Sequence, residues 1–487
     1  MSEHFLFTQG VQEVVPFSAK YGMPTQSVRS SKTIVQIQPK GSQSYANDTI
    51  MRLEFPASGY LDGVHSTLNF TICPLTNAAI QGTDVLWSAQ NIHSCITRLR
   101  VLYGSLVIED IIDYNKIVTA ITNHNVPVAG NFRTGTRTLQ KAAVVGNVPN
   151  GAASTVATPY LDFGPAYQGW EEGLGSEDER NGWFTATGGN DTLAGGGQTK
   201  GVAFSINLMS GLLKNKKLIP LKWMSSQLAI EITFAPKDDV FKLCKNDATA
   251  GSTFLTGYVV HDINYQAELV EFDTKYDAVF YQGLQESGVP IKIQTWNTYK
   301  FTPNAASYHN MQIQERSRSV QLALWSWYLP TPTALSAAAA AAADGINNTF
   351  KNNVTTYQWR IGGKYYPAQP VKCDSIASQA HVELRKAFKT LGDYDTLSLF
   401  NSQCYTSEGT AAAADCLLPA RWLGGTDLTT MRSSGSDIAG LNAEEQSDMN
   451  LQLYCSTNSQ AIYILHVFVL IDKLLIIRAN NTVDLYV

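Results

Sequence analysis

The residues of this chain most able to do chemistry are eight histidines and seven cysteines, and their spacing limits what they can do. The histidines are His4, His65, His93, His124, His261, His309, His381 and His466. They are scattered, and none stands at metal-ligand spacing from a cysteine or carboxylate. His93 and Cys95 fall close together on an expected strand edge, but two groups do not hold a zinc ion. The cysteines are Cys73, Cys95, Cys244, Cys373, Cys404, Cys416 and Cys455. Their number is odd and no two fit a C-x-x-C spacing, which reads as buried thiols of a reducing compartment. Gly195-Gly196-Gly197 lacks a strand before it and a Lys-Ser/Thr after it, so it is not a phosphate loop. No Walker A, G-x-S-x-G, H-E-x-x-H or EF-hand pattern occurs. The sequence therefore offers no catalytic residues, no cofactor-binding residues and no metal ligands. An enzyme is not expected, although residues brought together from afar would escape such a search.

Three further clusters invite a binding role. Glu315-Arg316-Ser317-Arg318-Ser319 is a short basic run offset by its own carboxylate, and is expected to be a solvated or interfacial strand edge. Arg98, Arg100 and Arg360 sit on expected strands and are expected to pair with carboxylates of neighbouring chains. Trp325, Trp327 and Tyr328 could stack on a sugar; packing in a core or subunit interface is the alternative.

The charge balance narrows the partners. The chain has 36 basic and 41 acidic residues, a formal net charge of −5. Coating nucleic acid through its phosphates needs a basic excess, and no polybasic arm precedes Ser30. No direct specific nucleic-acid binding is expected. The N-terminal stretch MSEHFLFTQG has neither a basic nor an apolar signal region, so secretion is not expected. The sequons at Asn69 and Asn190 are then expected to stay unmodified. Ile462–Ile477 is apolar but too short to cross a bilayer as a helix, and it contains His466, Asp472 and Lys473. Two buried strands joined at Asp472-Lys473 are expected there.

The elements that must position these groups are mostly strands. Leu68, Phe70 and Ile72 alternate with Thr67, Asn69 and Thr71, the period of a half-buried strand. Leu228, Ile230, Ile232 and Phe234 alternate with polar residues in the same way. So do Ile263, Tyr265, Ala267 and Leu269, then Val289, Ile291 and Ile293, then Val320, Leu322 and Leu324. Short strands separated by Gly, Pro and Asn turns indicate sandwiches or barrels. Three helices are expected. Asp113 caps one whose inward residues are Tyr114, Ile117, Val118 and Ile121. Asp273 caps a second with Tyr276, Val279 and Phe280 on one face. The third runs Val382 to Leu391, with Leu384, Phe388 and Leu391 inward.

The order of elements repeats. Strand, Gly104 turn, strand and helix in the first half match strand, Gly362-Gly363 turn, strand and helix in the second. This predicts two copies of one all-β unit. The expected division is an N-terminal arm at 1–30, a first unit at 31–272, a linker helix at 273–288 and a second unit at 289–487. Long insertions are expected near 125–200, 331–355 and 392–447; the last two flank the second unit's helix, and 331–355 contains the alanine run Ala337–Ala343. Surface excursions of this length usually carry contacts.

The motifs Glu315-Arg316-Ser317-Arg318-Ser319-Val320, Tyr357-Gln358-Trp359-Arg360-Ile361-Gly362-Gly363-Lys364-Tyr365-Tyr366-Pro367 and Glu383-Leu384-Arg385-Lys386-Ala387-Phe388 follow one another in this order. That order resembles the second jelly roll of major capsid proteins from Polinton-like viruses, virophages and related adintoviruses. Arg100–Glu109 followed by Tyr114, and Ile219-Pro220-Leu221 before Leu228, are similar to the first. The resemblance covers most of Thr33–Val487. It implies an all-β fold of two tandem eight-stranded antiparallel jelly rolls with short helices and long loop insertions. It also implies a homotrimeric, pseudo-hexameric capsomer in the icosahedral shell of a double-stranded DNA virus, placed in the virion and assembled inside the host cell. Neighbouring capsomers, penton and minor capsid proteins would be partners, and the N-terminal arm could contact an internal membrane. The competing expectation is a carbohydrate-binding β-sandwich, a spike or lectin-like component.

Overall fold

The structure, a computed structural model, describes residues 29–76, 85–88, 92–125, 197–198, 202–244, 255–286, 288–328, 349–373, 379–390, 422–429, 440–444, 449–459, 461–478 and 483–486. The arm before Arg29, the alanine run Ala337–Ala343 and most of the 125–200 and 392–447 insertions lie outside these residues.

Sixteen principal strands carry the fold. The first eight are β1 (Ser30–Ile37), β2 (Ile50–Glu54), β3 (Tyr60–Thr76), β4 (Ile96–Tyr103), β5 (Leu106–Ile112), β6 (Val202–Ile206), β7 (Leu228–Phe234) and β8 (Leu255–Phe272). The second eight are β9 (Val289–Phe301), β10 (Tyr308–Ile313), β11 (Val320–Tyr328), β12 (Val354–Ile361), β13 (Lys364–Lys372), β14 (Gly424–Asp427), β15 (Met449–Cys455) and β16 (Ile464–Ile477). Helix α1 (Tyr114–Asn125) follows β5, α2 (Thr274–Glu286) follows β8, and α3 (Gln379–Lys389) follows β13. A last strand, β17 (Val483–Tyr486), pairs with β16.

The sheet orders are β1-β8-β3-β6 and β2-β7-β4-β5, then β9-β16-β11-β14 and β10-β15-β12-β13. Adding eight to each strand number of the first pair of sheets gives the second pair. All of these pairings are antiparallel. Each unit is therefore an eight-stranded jelly roll, in which strands distant in sequence close two sheets over one core.

Alternating sequence builds each core. In β3, Leu68, Phe70 and Ile72 are buried, while Asn69 and Thr71 face outward. Rings join the two sheets: Phe55 meets Tyr265 edge-on at 5.2 Å in the first unit, and Trp325 meets Tyr357 at 5.2 Å in the second. The β4–β5 turn needs φ of +57° at Gly104, a region that costs a side-chain-bearing residue energy. Gly362 and Gly363 do the same between β12 and β13.

Several sequence expectations need correction. The segment Ile462–Ile477 does not form two strands. From Ile464 to Ile477 it is one strand paired along its length with β9, so Asp472 lies mid-strand. Its carboxylate is satisfied there by Ser319, Gln321 and Lys292. β11 is not half-buried, since all nine of its residues are buried. Gly425 lies between Leu324 and Leu384, so α3 roofs the outward side of the sheet. Asp113 does not cap α1 with its side chain: its φ is +54°, and its carbonyl accepts the amides of Lys116 and Ile117 while the carboxylate turns elsewhere. On α2, Tyr276 and Phe280 pack on Tyr60, but Val279 points to solvent at 69% exposure. α3 starts at Gln379, three residues before the expected Val382, which is exposed; Leu391 lies outside the described residues.

Candidate functional site: the joint between the sandwiches

Among the described residues, two clusters of buried titratable groups lie where the two sandwiches meet. One side is the end of β5, the start of α1 and the segment Leu208–Lys217. The other side is β9 and β16. Gly211 comes so close to the backbone of Gln294 that a Cβ there would overlap its carbonyl. The Asn215 amide donates to Lys292 O at 2.6 Å, and Thr298 Oγ1 donates to Ile112 O at 2.7 Å. Lys473 Nζ donates to Ile108 O at 3.3 Å.

Two titratable clusters sit in this joint. In the first, Asp113 receives Lys300 Nζ at 2.8 Å and Lys116 Nζ at 3.6 Å, and His466 Nδ1 stands 3.7 Å away. Lys116 Nζ is also 3.4 Å from His466 Nε2 and 5.3 Å from the centre of the Tyr328 ring. Burial, then the Lys116 and Lys300 charges, hold His466 well below the usual histidine range. A neutral ring with its proton toward Asp113 and its bare nitrogen toward Lys116 fits these partners. Burial also draws the Lys116 ammonium down. In the second cluster, Glu109 accepts Ser210 Oγ at 2.6 Å and the Leu212 amide at 2.7 Å. Burial outweighs those bonds and pushes its pKa up to about 7.

Such clusters lock surfaces together, because buried charges need partners on both sides. None of their members is an activated nucleophile. The candidate residues of the sequence are placed elsewhere. His93 is buried in a short 3-10 turn rather than on a strand edge, and its ring bonds Tyr114 Oη at 3.0 Å. Burial lowers its pKa to about 3. His309 bonds Ser459 Oγ at 2.7 Å. His381 is half-buried on α3. His4 and the side chain of His124 lie outside the described residues. Cys73, Cys95 and Cys373 are buried thiols and Cys455 is half-buried.

Trp325, Trp327 and Tyr328 are all buried, so they present no sugar platform. Glu315 is buried and accepts the amides of Arg316 and Ser317, which makes it a turn lock rather than part of a phosphate site. Arg98 pairs with Asp110 at 2.6 Å and Arg100 with Glu231 at 2.8 Å. Both partners are in the same chain, which corrects the expectation that these arginines serve a neighbour. Arg360 is exposed.

The fold also gathers groups that sequence spacing hid. Cys73 Sγ lies 3.1 Å from His261 Nε2, and His261 Nδ1 lies 2.8 Å from Asp262 Oδ2. The row has the residue types of a thiol triad, but the sulfur is 1% exposed, so no substrate reaches it. Asp62, His65 and Glu268 bring their ligand atoms within 4.8 Å of one another. Here Asp62 already holds His65 at 2.8 Å, and Lys32 neutralises Glu268. Glu268 is 206 residues from Asp62 in sequence and His261 is 188 from Cys73, so strand pairing alone joins them.

No protein-family model matches the sequence, and no curated protein sequence matches it. Solved structures do. A chain of the Sputnik virophage cryo-EM structure matches with a TM-score of 0.57 and 11% identity, over 98% of this chain and 93% of that one. The mavirus major capsid protein matches with a TM-score of 0.53 and 11% identity, over 100% and 95%. The Faustovirus major capsid protein matches with a TM-score of 0.55 and 7% identity, over 97% and 92%. At such identities the likeness is one of fold: the described residues form a double jelly roll.

Proposed function

We propose that this chain is a major capsid protein that builds the icosahedral shell of a double-stranded DNA virus. The observation that carries the reading is the doubled strand order: two jelly rolls, identical in sheet order, stand in one chain joined by a short helix. On this reading residues 31–272 and 289–487 are the two units and 273–288 the link. Three chains give six sandwiches, a pseudo-hexagonal tile that can cover a closed surface. Neighbouring capsomers, penton and minor proteins are the expected partners, and the virion the expected location. The role is structural rather than catalytic. The sugar-binding alternative loses its motive because its three aromatic residues are core.

The test is the purified protein. Light scattering should report a particle near three times 53.3 kDa, and negative-stain images should show hexagonal outlines with threefold symmetry. A monodisperse monomer at high concentration would overturn the reading.

A further inference from the structure

Strand β3 leaves its register where it passes the last third of β8. Thr67 pairs with Gln266 and Asp62 with Glu268, so four residues, Gly63 to Ser66, stand opposite Ala267 alone. Such bulges re-aim side chains. This one turns His65 back toward Asp62 and Glu268. Asp62 Oδ2 lies 2.8 Å from His65 Nδ1, and the ligand atoms of all three residues lie within 4.8 Å of one another.

The bulge is held at both ends and from behind. Ser66 Oγ donates to Asp62 O at 2.6 Å and accepts the Glu268 amide at 3.0 Å. The His65 amide donates to Asp62 Oδ1 at 3.3 Å, which leaves Oδ2 facing the imidazole. Asn207 Nδ2 donates to Val64 O at 3.0 Å, and a Cβ on Gly63 would overlap the Leu213 carbonyl. Groups fixed in this way are oriented before a ligand arrives.

The charges between these groups are exchangeable. Asp62 Oδ2 can only accept, so the proton of its contact belongs to His65 Nδ1. Lys32 of β1 is the ion-pair partner of Glu268 Oε2, an oxygen closed off from solvent. The Lys32 side chain is 52% exposed, and its long stem lets the ammonium swing into water. A divalent ion replaces both the proton and the ammonium with one centre of charge.

We propose that Asp62 Oδ2, His65 Nδ1 and Glu268 Oε2 bind a divalent transition-metal ion, with Lys32 as the cation it displaces. An ion bonded at about 2.0–2.2 Å to each ligand spans ligand atoms roughly 3–4 Å apart, so the set closes on it by side-chain rotation. One imidazole with two carboxylates suits zinc, whereas magnesium and calcium favour oxygen alone. Three protein ligands leave a further position for water. The ion joins β3 to β8 at the bulge that backs onto Leu213, two residues from Gly211 in the joint. This site goes beyond the coat-protein reading and does not depend on it.

Calorimetric titration of the full chain with zinc chloride tests this. The parent should bind zinc, and His65→Ala and Glu268→Gln should each weaken one site by roughly tenfold or more. Lys32→Met should tighten the same site several-fold, because its competitor is gone. Circular dichroism should be alike in all variants. His65 is largely exposed, so His65→Ala decides the matter if Glu268→Gln fails to fold. No zinc binding by the parent, or an affinity that His65→Ala leaves unchanged, would overturn the site. Equal affinity for magnesium would show a plain acidic patch and overturn it as well. An unchanged affinity in Lys32→Met would remove Glu268 Oε2 from the ligand set and with it the proposal.

Discussion

The faces of β1-β8-β3-β6 and β9-β16-β11-β14 have the same strand order and opposite character. The outward side of the first carries Asn69, Asn264, Gln266 and Glu268, half-buried and hydrogen-bonded along the sheet. The outward side of the second carries Leu322, Leu324, Phe468 and Leu470, all buried. The difference follows from who covers each face. The second is covered by the chain itself, by α3 and by the first sandwich, so apolar residues there never meet water in the folded state. Among the described residues no element covers the first, and a contiguous apolar patch there would invite unselective association. Identical topology therefore does not dictate identical surfaces. What packs against each face does.

The largest expected effect separates the two faces directly. Phe468→Ala on β16 should cost about 3–5 kcal/mol in guanidinium unfolding, as a truncated buried ring does. Gln266→Ala on β8, its counterpart strand, should stay within about 0.5 kcal/mol. Similar losses at the two positions would break the comparison.

The next effect is electrostatic and lies in the joint. Glu109 has its pKa raised from 4.5 to about 7, so the native state holds its proton more tightly than the unfolded chain. Its contribution is fully present below pH 4.5 and is lost as pH rises through about 7. That loss amounts to about 3 kcal/mol, and Glu109→Gln should flatten it. His466 has the opposite sign. Its folded pKa is depressed, so the stability it contributes is present above 6.5 and lost as pH falls. His466→Gln should flatten that acid limb. Midpoints of unfolding measured from pH 4 to 9 would separate the two, and a profile unchanged in both variants would show that the joint does not titrate.

A smaller effect tests the closeness of the joint. Gly211→Ala should cost about 1–3 kcal/mol, because its Cβ would strike the Gln294 backbone, which cannot turn away. Gly283, in α2, has open space around its Cβ position, and Gly283→Ala should stabilise by up to about 1 kcal/mol through helix propensity. Equal costs at both glycines would mean that the sandwiches are free to slide apart.

The fold was legible because alternation is a local signal. Leu68, Phe70 and Ile72 declare their strand within a few residues, and Gly104 and Gly362 mark equivalent turns. What was hidden depends on pairing across the chain. The Trp325-Ser326-Trp327 stretch looked two-faced because neither α3 nor the first sandwich, which cover its other side, is adjacent in sequence. Asp472 and Lys473 looked like a turn because paired strands usually exclude charges, and nothing local announced Ser319 and Gln321 as its partners. The joint was invisible for the same reason: Lys116 and His466 are 350 residues apart, and no motif links an aspartate, two lysines and a histidine drawn from a turn and three elements.

The smallest effect concerns the other two sheets. The outward side of β2-β7-β4-β5 is a ladder of ion pairs, Arg52–Glu231–Arg100 and Arg98–Asp110. The matching side of β10-β15-β12-β13 shows exposed tyrosines, with Tyr308 and Tyr454 at 4.8 Å and Tyr365 on the edge strand β13. Exposed ion pairs contribute little and are screened by salt, so Arg98→Ala should cost less than about 1 kcal/mol, fading in high salt. A cross-strand aromatic pair is worth up to about 1 kcal/mol, and Tyr454→Ala should keep its cost as salt rises. If both losses respond to salt alike, the two sheets differ in decoration alone. If they diverge as expected, each sandwich stabilises its outer sheet by a different force. Ionic strength then weakens the first unit while sparing the second.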